Sequence, residues 1–157
     1  PMWMGVGQAA GTAAALSLAK DTELRNVDII QLQKKLLNSH QILTYFDDLD
    51  PKDKAHKAAQ FWGTKGFFDS YVADLHQPVS RALLGKWLKI FARTAQIAKD
   101  PVIPEAEKVS KEEFVRILEN IIDPVPAEHN WLYEHRKTDD PLTRGEVCMA
   151  LYAALWK

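Results

Sequence analysis

The chain has 157 residues, 46% of them hydrophobic and 26% charged, the composition of one medium globular domain or two small ones. A net charge of -1 gives no electrostatic reason to expect nucleic acid, which usually demands a basic face, as a partner. The single cysteine, Cys148, excludes an internal disulfide framework and any multi-cysteine metal site.

In chain order, residues 2–19 carry no charge. A run of that length raises a short membrane span or a signal peptide ending at Ser17-Leu18-Ala19. Its Ala and Gly content, with Gln8 and Thr12 inside it and no basic residue before it, argues against both. The Ala-rich stretch 8–19 predicts a helix. Residues 28–38 place Ile29, Leu32, Leu36 and Leu37 at helical spacing behind Asp28, a suitable N-cap. Asp50-Pro51 predicts a helix opening there and running to Lys65, closed by Gly66. Pro78-Val79-Ser80-Arg81 predicts a helix reaching Ala98. Ser110 with Glu113 and Thr143 with Glu146 are capping boxes for two more helices, and residues 127–136 form a short aromatic one. The segments 99–108 and 122–127 hold four prolines and read as connectors. No strand pair is evident, so the fold class is all-α, with a boundary near residues 40–46.

A weak repeat runs through the second part. Pro78-Val79-Ser80-Arg81 and Pro141-Leu142-Thr143-Arg144 share the order proline, aliphatic, hydroxyl, arginine, and Val109-Ser110-Lys111 is a shortened copy. Units of this size bury their apolar faces on one another.

The stretch Met4-Gly5-Val6-Gly7-Gln8-Ala9-Ala10-Gly11-Thr12-Ala13-Ala14-Ala15-Leu16 leaves backbone bare where the helix is expected to begin. A helix start offers unpaired N–H groups and positive potential, so a flat or anionic group fits against it. The spacing of Gly5, Gly7 and Gly11 is one residue too long for the dinucleotide fingerprint. An Ala/Gly helix packed tightly in a core is the alternative reading. That same stretch resembles the C-terminal flavin motif of a family of bacterial FAD-dependent oxidoreductases, and the helix Asn26–Leu36 resembles the element that follows it. The resemblance implies a helix aimed at the pyrimidine edge of the flavin, where amides stabilise the negative charge of the reduced ring. Backbone contacts would come from Gly7, Gln8, Ala9 and Ala10, with Gly5, Gly11 and Thr12 shaping the site. It implies FAD in a parent protein, none bound to this chain alone, and an N-terminal FAD-binding domain as the missing partner. Catalysis by the isolated chain is not expected, and its residues 1–20 are free to self-associate.

The second part, from Phe46-Asp47-Asp48-Leu49 through Arg93, resembles one S-layer homology repeat. The matching pieces are His56–Trp62, Lys65–Tyr71 and Pro78–Arg81, with a further half-repeat at Pro141–Glu146. The middle copy has Lys111 in the arginine position. This resemblance implies binding of cell-wall polysaccharide, with Arg81 and Arg144 as contacts. The compartment stays open between the bacterial cell envelope and the cytoplasm. The expected organisation is thus a flavin-domain remnant at 1–42 and an S-layer-like helical module at 46–157. Trp62, Trp87, Trp131 and Trp156 are read as core in preference to sugar-stacking platforms, and Cys148 as a buried apolar residue. No metal is expected, because His129 and His135, six apart, share no helix face.

Overall fold

In the computed structural model the described residues are 2–98, 101, 109–122 and 140–156. They form six α-helices and one short 3-10 turn, with no strand among them. The aromatic helix expected at 127–136, with His129, Trp131 and His135, lies outside the described residues, as do most of the two proline-rich connectors. The chain divides into two compact units, Pro1–Tyr45 and Phe46–Lys157.

In the first unit, α1 spans Met2–Ala19. It opens six residues before the expected start at Gln8 because its three glycines, each costing about 1 kcal/mol against alanine, are outnumbered by Ala, Leu, Met and Gln. After a turn with Asp21 in the left-handed region and a 3-10 turn at Leu24–Asn26, α2 runs over Ile29–Asn38. Asp28 caps it as expected, accepting the backbone N–H groups of Ile30 and Gln31 at 2.9 and 3.3 Å. Leu36 and Leu37 are buried with Leu16 and Val27, while Ile29 is exposed. α2 ends in a Schellman turn: His40 N–H donates to Leu37 O, Gln41 N–H donates to Leu36 O, and His40 sits at φ 60°.

In the second unit, α3 is His56–Gly63, α4 Arg81–Thr94, α5 Lys111–Ile121 and α6 Arg144–Ala154. α3 is shorter than the helix expected from Pro51. The carboxylate of Asp50 accepts Lys52 N–H at 2.8 Å and that of Asp53 accepts Ala55 N–H at 2.7 Å, so two successive side-chain turns compete with the helix until His56. Gly66, at φ 82°, closes this element as expected. α4 stops at Thr94, four residues before the expected end. Gln96 takes φ 55° there, and Ile97 N–H returns to Ala92 O at 2.8 Å in a second Schellman turn. Both capping boxes form as the sequence predicts, Ser110 with Glu113 and Thr143 with Glu146.

The core of this unit is a column of rings. Phe67 is stacked between Trp62, at 4.3 Å and 12°, and Trp87, at 4.8 Å and 15°. Each indole also needs a hydrogen-bond acceptor once buried. Trp62 Nε1 donates to Cys148 O at 3.0 Å and Trp87 Nε1 to Phe67 O at 2.7 Å. Trp62 and Trp87 are therefore structural, which removes both from the sugar-stacking alternative.

A non-glycine residue in the left-handed conformation carries roughly 1–2 kcal/mol of local strain, partly offset in a glycine variant by its freer unfolded chain. His40→Gly and Gln96→Gly are each expected to stabilise the protein by about 0.5 kcal/mol, seen as a higher urea midpoint at unchanged slope. A lowered midpoint for either would contradict the turn assignment.

Candidate functional site

The glycine-rich segment lies entirely within α1. By α-helical pairing the amides of Gly7, Gln8, Ala9 and Ala10 bond to carbonyls one turn earlier, and only the first turn from Met2 keeps free N–H groups. What the segment offers is a bare surface. A Cβ added at Gly7 or Gly11 would meet no heavy atom within 4 Å, whereas one at Gly5 would lie 2.8 Å from Gln41 Nε2. Thr12 turns its hydroxyl back to Gln8 O at 2.8 Å, and Ala9 is half-buried. The open glycine face fits contact with a flat ring. The amides of Gly7, Gln8, Ala9 and Ala10, expected from the resemblance to face the flavin, are paired within α1 in this structure. Trp3 is 80% exposed and Leu18 83%, and with Met4 and Val6 they leave an apolar surface along α1. Sequence reasoning passed over Trp3, since a single aromatic outside any periodic pattern gives no signal.

In the second unit the two full copies of the repeat lie side by side. Val79 N–H donates to Leu142 O at 2.9 Å, and Pro78 and Thr143 form an antiparallel bridge. Arg144 N–H donates to Gln77 O and Gly145 N–H to Leu75 O, at 3.0 and 2.8 Å. The shortened copy joins through Lys111, only 6% exposed, whose Nζ lies 2.9 Å from Glu146 Oε1.

Arg144 sits at the positive end of α6, where a cation is disfavoured. Its Nη1 lies 3.3 Å from Asp74 Oδ2, and 3.5 Å from the carbonyl of Ala73, whose loop Asp48 also holds. The Asp48 carboxylate accepts the N–H groups of Ala73 and Asp74 at 2.8 and 2.7 Å. Burial pushes the Asp48 carboxyl up, but those hydrogen bonds, with help from the Arg144 guanidinium, hold it below the ordinary range. Arg81, half-buried, has no ion pair among the described residues.

An open cleft of about 370 Å³ lies beside the start of α6, lined in part by Lys52, Asp53, His76, Thr143 and Glu146. His76 Nε2 is 3.2 Å from Asp53 Oδ2. Cys148 is fully buried and burial pushes its thiol up, so it is no nucleophile at neutral pH. No group of three or more His, Cys, Asp or Glu among the described residues could hold a metal. No helix among them is long and apolar enough to cross a membrane.

Residues 1–36 match the model of the family described as FAD dependent oxidoreductase. No curated protein matches the chain, and no solved structure does. The match covers both helices of the first unit as far as Leu36 and stops short of the second unit, whose named elements among the described residues are all helices.

Two outcomes are expected here. Arg144→Ala should lower Tm by about 3 °C, given a pair worth about 1 kcal/mol and roughly 2–4 °C per kcal/mol in a chain of this size. Arg81→Ala should move it by less than about 1 °C. Equal losses would show that Arg144 is no staple. The second concerns pH. A carboxyl depressed in the folded state adds stability above its unfolded pKa, and that contribution is lost as pH falls through the folded value. The stability deficit of Asp48→Asn should therefore be constant above about pH 5 and shrink below about pH 3.9. A deficit unchanged down to pH 2 would remove the charge from the account.

Proposed function

We propose that residues 1–42 form one wall of the flavin site of a larger FAD-dependent oxidoreductase, and that this chain alone performs no catalysis. The observation that carries the proposal is the family match over residues 1–36. The open faces of Gly7 and Gly11 support it, since they admit a flat ring against the backbone. In such a protein FAD would supply the redox chemistry. This chain's part is steric: a bare helix surface that accepts the ring edge and excludes water. Gly5, held against Gln41, keeps α1 close to the segment after α2.

The pyrophosphate and adenosine of FAD require a separate dinucleotide-binding segment. The reading is tested by sequencing the coding region that flanks this chain. A strand, a G-x-G-x-x-G turn and a helix in frame upstream support it, and an in-frame stop immediately upstream overturns it. Titrating FAD into the protein while following flavin fluorescence should show no saturable binding at micromolar concentration. One exposed helix surface falls well short of the about 8 kcal/mol that micromolar affinity needs. Stoichiometric binding would mean that the chain holds a complete site.

For residues 46–157 we infer a structural or interaction role in that larger protein. Arg144 and Lys111, two of the three cations opening the repeat helices, are engaged by Asp74 and Glu146. Of these three cations, a polysaccharide-binding role would fall to Arg81, which has no ion pair among the described residues. Pull-down with purified bacterial cell-wall polysaccharide separates the two. Retention of the wild-type chain that is lost in Arg81→Ala would establish binding, and no retention of either supports the structural role.

A further inference from the structure

We draw no further inference here: the strongest candidate, the exposed apolar face of α1 formed by Trp3, Met4, Val6 and Leu18 around Gly7 and Gly11, carries nothing because nothing in the structure shows what covers it.

Discussion

The second unit depends on the carboxylate of Glu146. One of its oxygens accepts the backbone N–H of Thr143 at 2.8 Å and its hydroxyl at 3.1 Å, which fixes the first turn of α6. The other oxygen lies 2.9 Å from the ammonium of Lys111, at the start of α5. A buried ammonium with no partner costs several kcal/mol, so Lys111 is tolerable where it is only because Glu146 is there. Glu146 is there because the capping box aims it. A local rule about helix starts thus places a long-range contact, and two copies of one sequence motif are locked together by the residue that distinguishes them.

The first copy lacks this device, since Leu83 occupies the place that Glu146 holds in the last one. It joins by backbone instead. The bridge between Pro78 and Thr143 suits a proline, which has no N–H to donate and leaves the pairing to Val79. Gly145 completes the junction. A side chain there would place its Cβ 3.1 Å from the Leu75 carbonyl oxygen that Gly145 N–H must reach. Close backbone approach, rather than turn geometry, is what calls for this glycine.

Most of this architecture was legible because it is local. Asp28, Ser110 and Thr143 announced their helices, and Gly66 announced the end of one. The misjudged boundaries were also local, but they turned on competition between rules. Asp50 and Asp53 are good cap residues, and two in succession each closed a turn of their own before α3 could start. Gln96 gave no warning that α4 would stop, because glutamine is a good helix former and only the returning hydrogen bond from Ile97 reveals the left-handed turn. The repeat was visible as a pattern, whereas its consequence was not. Nothing in Pro78–Arg81 or Pro141–Arg144 says that the two will pair side by side, or that Asp74 will be the partner of Arg144.

The candidate flavin surface shows the opposite balance. Its residues are conspicuous in sequence, and their conformation was not derivable from them. Glycines at positions 5, 7 and 11 suit a helix start that must expose amides, and they equally suit a helix whose flank must stay bare. Helix propensity alone cannot decide, since a helix end is fixed by whatever competes for its first N–H groups. In this chain α1 continues back to Met2 and the amides of Gly7–Ala10 are consumed.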